Sequence, residues 1–322
     1  MKNILITGGA GFIGSSLIGS LIENPDINIT CLDNFDNFYD PRIKKNNIKT
    51  YLKKNNFILI KGDICNLRPV KRKFSKRYDA IIHLAAKVGV IPSIKDPVGY
   101  TEVNIGGTQN LLEFAKEIRC KKFIFASSSS IYGVNSNFPW REYDRNILPI
   151  SPYAATKISG ELLGHVYSHL YNFQFVALRF FTAYGPRQRP DLAIHKFTKL
   201  ILEGKPVTLY GDGKTKRDYT YIDDIISGIS SALKYDNSKF EIINIGNNQP
   251  VELNEIIFLL EKALRKKAAI RGLPEQPGDV PLTFADIRKA KKLLGYEPNT
   301  NLSTGLQKFV SWFRQQNEEN KQ

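Results

Sequence analysis

Tyr153 and Lys157 stand four residues apart in the stretch SPYAATK. Residues four apart share one face of a helix, and Pro152 suits a first helical turn, where its missing N–H costs nothing. A phenol beside an ammonium can move a proton, because a nearby cation favours the phenolate. A free phenol titrates near pH 10; lowering that by about three units takes roughly 4 kcal/mol of differential stabilisation. The same spacing also serves an ordinary helix start, with the tyrosine packed inward and the lysine in water. The pair alone does not choose between these.

A second group of residues bears on the choice. In LITGGAGFIG, Gly8, Gly11 and Gly14 follow a short apolar run and lead into a helical pattern. Glycines so placed permit a tight turn and let a pyrophosphate approach backbone N–H groups at a helix N-terminus. An acidic residue, Asp33, ends the next apolar run. Its carboxylate suits the ribose hydroxyls of NAD and repels the extra phosphate of NADP, although Arg42 and Lys44 follow closely. Later run ends should face the same crevice: Asp63 in GDI, against an adenine amino group, the small LAA segment (Leu84, Ala85, Ala86), and Asn104 in VNIGGT, bonding backbone on the nicotinamide side. Open α/β sheets bind ligands at the carboxyl ends of their strands.

These residues must be carried by strands and helices in alternation. Apolar runs at 3–7, 28–33, 57–63, 80–86, 122–128 and 175–181 read as buried strands, with helical patterns such as 13–23 and 105–118 between them. That rhythm predicts βαβ units and an α/β fold with a parallel sheet covered on both faces. After 180 the rhythm breaks at the loop AYGPRQRPD. A helix is expected at 193–203, strand–turn–strand over 207–224 with a helix from near Asp223, a core strand at 240–246, and helices near 252–266, 286–294 and 302–318. The expected division is residues 1–180 for the cofactor and 181–322 for a smaller substrate lobe, with the chain returning to the first around 222–246.

Composition narrows the classes. The 322 residues are 42% hydrophobic and 24% charged, as in a globular protein, with no apolar run near the roughly 20 residues of a membrane span. Cys31, Cys65 and Cys120 are scattered and lack metal-ligand spacing; they fit a reducing cytoplasm, and neither a disulfide framework nor a metal site is expected. The net charge of +15 comes from lysine pairs spread over the whole chain without interleaved aromatics. They read as a solvated surface, so neither nucleic acid nor membrane is expected as a partner.

TGGAGFIG, GDI, HLAA, VNIGGT, SSSSIYG, SPYAATK, RFFTAYGP, KRDYTYIDD and PGDV, in that order, resemble the extended short-chain dehydrogenase/reductase family over nearly the full length. The resemblance implies a Rossmann-type doubly wound parallel sheet with a smaller C-terminal substrate-binding lobe, tightly held NAD, and a homodimer formed by helices near 98–118 and 152–170. It also implies that Ser128, Tyr153 and Lys157 form the redox site. Tyr153 would take a hydroxyl proton, Lys157 would hold the nicotinamide ribose, and Ser128 would bond the same substrate oxygen. Phe12, Ile13, Asn34 and Ile64 would join the glycines, Asp33 and Asp63 around the cofactor.

Relatives that eliminate water resemble this chain but carry Asp-Glu after the catalytic Ser or Thr, and decarboxylating relatives carry Glu at the second position. Here Ser129 and Ser130 stand there. That leaves oxidation, rotation of a keto sugar and return of the hydride, which is 4-epimerisation. The segments at 32–44, 179–197 and 276–298 resemble those of UDP-glucuronate 4-epimerases. By that resemblance Thr182 and Arg189, with Ser129, would face a uronate carboxylate, Arg217 would bind the diphosphate of the UDP-sugar, and Asp279 would join the substrate site. Ile91 departs from the pattern, since that group often carries Arg there; a 4-epimerase of UDP-glucose or UDP-N-acetylglucosamine is the alternative.

Overall fold

The structure is a computed structural model that describes residues 2–75, 77–144, 147–274 and 280–319. The apolar runs become strands β1 (Lys2–Thr7), β2 (Ile27–Asp33), β3 (Phe57–Lys61), β4 (Ala80–His83), β5 (Lys122–Ser128) and β6 (Gln174–Phe180). The second half of the chain contributes β7 (Thr182–Tyr184), β8 (Val207–Tyr210) and β9 (Lys216–Tyr221), followed by β10 (Phe240–Ile245), β11 (Pro250–Glu252) and β12 (Ile270–Leu273). Helices α1 (Phe12–Leu21), α2 (Pro41–Ile48), α3 (Val90–Lys95), α4 (Pro97–Thr101), α5 (Gly107–Glu117) and α6 (Pro152–Tyr171) lie in the first part. Helices α7 (Ala193–Glu203), α8 (Ile222–Lys234), α9 (Leu253–Leu264), α10 (Arg288–Leu294) and α11 (Leu302–Glu319) complete the chain.

Seven strands form one parallel sheet in the order β10-β6-β5-β4-β1-β2-β3. Both faces are buried because successive side chains alternate. Ile4 and Ile6 enter one core with Leu17 and Ile18 of α1 and Ile225 and Ile229 of α8. Leu5 enters the other with Leu111 and Leu112 of α5 and Tyr167 of α6. The strand order reverses between β1 and β4, so their carboxyl ends open the crevice that such sheets use for ligands.

The chain leaves this sheet after β6 and returns to it with β10. Between and after these lie a three-stranded sheet, β11-β9-β7, and a parallel pair of β8 and β12. The strand–turn–strand expected over 207–224 therefore does not close as a hairpin. Thr208 and Leu209 find hydrogen-bonding partners in Arg271 and Gly272, while β9 pairs with β7 in parallel. Two side chains tie distant parts of the chain together. Arg187, with φ of 67°, donates Nη1 to the Ser15 carbonyl (3.0 Å) and to the Tyr51 hydroxyl (2.8 Å). Asp218, fully buried on β9, accepts the backbone N–H groups of Asn247, Asn248 and Ala285 at 2.7–3.0 Å.

Candidate active site

The glycine turn is built by close approach. Gly8 has φ of 69°, and a Cβ there would sit 2.7 Å from the Ala85 nitrogen on the neighbouring strand end. A Cβ at Gly14 would fall 2.3 Å from the Gly8 carbonyl oxygen, so α1 could not start so near the turn. The cap of α1 is Gly11, which offers no side-chain oxygen to the first-turn N–H groups. These donors and the positive end of the helix suit a phosphate.

From this turn a cleft of about 680 Å³ runs along the carboxyl ends of the strands. Gly8, Gly11, Phe12, Ile13 and Gly14 line one end, with Asp33 and Asn34; Ile64 and the segment Leu84–Ala85–Ala86 line the wall. The Asp33 carboxyl is buried and accepts N–H bonds from Ala10 (3.0 Å) and Phe35 (2.8 Å). Burial pushes its pKa up, against those two bonds and the Lys44 ammonium. Lys44 donates to the Asp36 carbonyl, and Arg42 pairs with Asp40 at the surface, outside the cleft wall. The cradle, the uncapped helix and a buried carboxylate with acceptor capacity left fit a dinucleotide whose adenosine ribose carries free hydroxyls.

Two further residues expected at the cofactor flank the cleft wall. Asp63 is held by the N–H of Cys65 and the amide of Asn34 (2.8 and 3.1 Å), while its neighbours Gly62 and Ile64 form the wall. Burial opposes these bonds, yet they keep its carboxyl below the ordinary range. Asn104 lies in a π-helical segment, Glu102–Gly106, that leads into α5. Its amide accepts from the Lys87 N–H (2.8 Å) and donates to the Lys87 carbonyl (2.9 Å) and to Thr156 (3.0 Å). It bonds backbone, as expected, and so fixes the cleft wall at Lys87.

Ser128, Tyr153 and Lys157 meet at the centre of the cleft. Helix α6 begins at Pro152 and is capped by Ser151, whose Oγ accepts the Ala154 N–H (3.2 Å). Lys157 is buried; its Nζ donates to the Ala126 carbonyl (2.7 Å) and sits 5.7 Å from the centre of the Tyr153 ring. Burial pulls its pKa down to about 7, against the pull of Glu161. The Tyr153 phenol is raised by burial, and a hydrogen bond with Ser128 and the charge of Arg189 only partly offset this. The expectation that Lys157 depresses the phenol is thus corrected: within the protein alone desolvation dominates, and the opposing pull comes from Ser128 and Arg189. Ser128 Oγ is itself bonded by the N–H and hydroxyl of Ser130 (3.2 and 2.9 Å). The Tyr153 ring meets Tyr100 edge-on at 6.3 Å, and Tyr100 anchors the Val88 carbonyl (2.6 Å).

A second pocket of about 280 Å³ adjoins this centre. Ser129, Ser130 and Thr182 present hydroxyls there, with Arg217 on β9. Val90, Ile91, Ile150 and Trp140 make its apolar walls, and Thr283 also lines it. Arg189 lines the larger cleft. Its Nε and Nη2 hold Asp191 in a bidentate pair (2.9 and 2.8 Å), and its guanidinium lies 5.7 Å from the Phe38 ring centre. Asp279 lies outside the described residues. Trp140, Thr283 and Tyr100 were not singled out in the sequence because a lone aromatic or threonine carries no spacing signal. Among the described residues no cluster of three His, Cys, Asp or Glu could hold a metal, and no helix is long and apolar enough to cross a membrane.

Comparison with known proteins agrees with this geometry. The sequence matches the GDP-mannose 4,6-dehydratase family over residues 5–309. It is 42% identical over 317 residues to UDP-glucuronate 4-epimerase of Thermodesulfobacterium geofontis, covering 98% of this chain and 97% of that protein. The crystal structure of UDP-glucuronic acid 4-epimerase from Bacillus cereus with UDP-glucuronic acid and NAD superposes with a TM-score of 0.91, at 41% identity and over 98% of this chain and 99% of that one. UDP-N-acetylglucosamine 4-epimerase from Methanobrevibacter ruminantium superposes at 0.89 with 32% identity, over 98% and 99%. With the parallel sheet, the glycine turn and the Ser–Tyr–Lys centre assembled as they are, the chain belongs to the GDP-mannose 4,6-dehydratase family of extended short-chain dehydrogenases/reductases.

Proposed function

We propose that this protein is an NAD-dependent 4-epimerase of a UDP-sugar, converting UDP-glucuronate to UDP-galacturonate through a transient 4-keto sugar. The observation that carries the reading is the junction of the two cavities. The Ser128–Tyr153–Lys157 centre opens onto a pocket lined by Ser129, Ser130, Thr182 and Arg217, with no carboxylate among the described residues that line it. A site without such an acid or base has little means to drive elimination from the keto sugar. The relatives named above act on UDP-sugars and support the same reading.

Bound NAD would supply the chemistry of taking a hydride from the sugar C4 and giving it back. Tyr153 removes the proton of the 4-hydroxyl as its C–H bond breaks, and returns a proton to the oxygen once the ring has turned over. Ser128 donates to that oxygen, and Lys157 holds the nicotinamide ribose. Gly8, Gly11 and Gly14 admit the pyrophosphate, and Asp33 receives the ribose hydroxyls. Arg217 binds the substrate diphosphate, while Thr182 and Arg189, with Ser129, receive the uronate carboxylate. Arg189 has its Nε–Nη2 edge on Asp191, which leaves its other edge for an anion.

Ile91 favours a second reading. With Val90 and Ile150 it makes an apolar wall, which suits a neutral or N-acetylated sugar. Incubation with UDP-glucuronate, UDP-glucose and UDP-N-acetylglucosamine separately, with products resolved by NMR, decides between them. Conversion of only the neutral sugars would replace the first reading with the second, and no conversion of any would end both.

The protein also pairs with a second copy in this reading, supported by an exposed apolar stripe on α6: Leu162, Val166 and Leu170. The free thiols of Cys31, Cys65 and Cys120 suit a reducing cytoplasm.

A further inference from the structure

Behind the Tyr153–Lys157 ridge lies a charged pair that the proposed chemistry leaves unused. Glu161 continues the ridge one turn beyond Lys157 and is 4% exposed. Arg179 on β6, 2% exposed, grips it with Nε on Oε1 (2.9 Å) and Nη2 on Oε2 (2.7 Å). Ser127, one residue before Ser128, donates its hydroxyl to the same Oε1 (2.5 Å). Arg179 Nη1 reaches the Tyr132 hydroxyl (2.9 Å), which in turn donates to Asn244 (2.7 Å). A buried ion pair is weak evidence for stability, since apolar residues of similar volume often do as well. This pair therefore calls for another reason to exist.

Its position supplies one. The surroundings of the Lys157 ammonium are a carbonyl, Ala126 O, and two aromatic rings, Phe125 (5.1 Å) and Tyr153 (5.7 Å). Across from it on β4, His83 is held neutral between Thr7 (2.8 Å) and Thr108 (3.0 Å), its pKa pulled down to about 3 by burial. On β6, Arg179 adds positive charge behind Glu161, and Arg189 does so on the Tyr153 side. Helix α6 places the buried Glu161 carboxylate one turn from the buried Lys157 on the same ridge, and its charge opposes the effect of burial on the ammonium.

We propose that Glu161 is a positioning residue, the buried counter-charge that keeps Lys157 cationic, and that Ser127 and Arg179 lock it in place so that the Ser128 strand end and the Tyr153 helix keep a fixed spacing. The proposal rests on the reading of Tyr153 and Lys157 as the proton-transfer pair. Removing the carboxylate lets burial act unopposed on the ammonium, which then loses its proton at lower pH. Since Lys157 holds the nicotinamide ribose as a cation in the proposed chemistry, the alkaline side of the kcat–pH profile moves down.

The test measures kcat and KM across pH for wild type, Glu161→Gln, Glu161→Asp and the double variant Glu161→Gln/Arg179→Gln, each first checked for fold by circular dichroism and for NAD retention. The expected result is an alkaline limb lowered by about one pH unit in Glu161→Gln, restored in Glu161→Asp, with KM little changed. The double variant strands no buried charge and carries the test if the single one does not fold; its limb should also move down. A folded variant whose rate falls while its profile superimposes on wild type would overturn the proposal, because a purely structural role predicts that. Tyr153→Phe, run in parallel, separates the two readings. If it stays active, the proton-transfer assignment fails; if it is inactive and the Glu161 profile does not move, only the counter-charge fails.

Discussion

At Tyr153 one hydroxyl separates a packed ring from a proton-transfer group. The ring is held edge-on by Tyr100, so Tyr153→Phe should fold and retain NAD. General acid–base loss of this kind costs about 10²–10⁴-fold in kcat; activity within about threefold of wild type would remove Tyr153 from the chemistry. Arg189 tests the choice of sugar. A keto-uronate can lose carbon dioxide, and a carboxylate bonded in the plane of a guanidinium resists leaving as a neutral molecule. Arg189→Leu should cost on the order of 2–5 kcal/mol for UDP-glucuronate, a fall of roughly 30-fold to several thousandfold in kcat/KM, with more UDP-pentose released. UDP-glucose turnover should change far less; equal losses on both sugars would assign Arg189 to the nucleotide or the fold.

Helix α6 serves two faces at once. Its inward ridge carries Tyr153, Lys157 and Glu161, while Leu162, Val166 and Leu170 point outward at intervals of four, with Leu162 63% and Leu170 61% exposed. The proposed pairing with a second copy would cover this stripe. Changing Leu162 and Leu170 together to Glu should leave circular dichroism unchanged and shift the elution of the protein from dimer to monomer in size-exclusion chromatography with light scattering. A wild type that already runs as a monomer would refute the pairing. The other local device is the π-helical segment at Glu102–Gly106, which turns Asn104 onto Lys87. The backbone bonds so made hold the cleft wall at Lys87.

Across the whole molecule, distant segments are joined by buried polar groups, and among these Asp218 carries a pH signature. Its carboxyl is wholly enclosed; burial raises its pKa to about 6, partly opposed by the three backbone N–H bonds. A carboxyl raised in the folded state contributes stability that is full below its unfolded pKa, 3.8, and lost as pH rises through about 6. Relative to Asp218→Asn, the wild type should therefore lose on the order of 2–3 kcal/mol between pH 4 and 7. Urea unfolding of both proteins at several pH values checks this; parallel curves would show that the N–H bonds fully balance burial.

The sequence by itself determined the sheet's strands, the glycine turn and the shared ridge of Tyr153 and Lys157, because each rests on local periodicity or on residues whose spacing sets one face, while Ser128 joined them only through the family resemblance. Runs such as Ile4–Thr7 are buried on both sides whatever follows them, and Tyr153 and Lys157 share a ridge of any helix that starts at Pro152. Only the tertiary structure decided the partners. That β8 pairs with β12, 63 residues away at the Val207–Ile270 register, follows from backbone groups seeking distant partners, which leaves no local trace. Asn104 faces Lys87, Arg189 takes Asp191, and Glu161 takes Arg179 and Ser127. In each case residue type permits several contacts, and the choice is made by which polar groups packing leaves within bonding distance in a place without water.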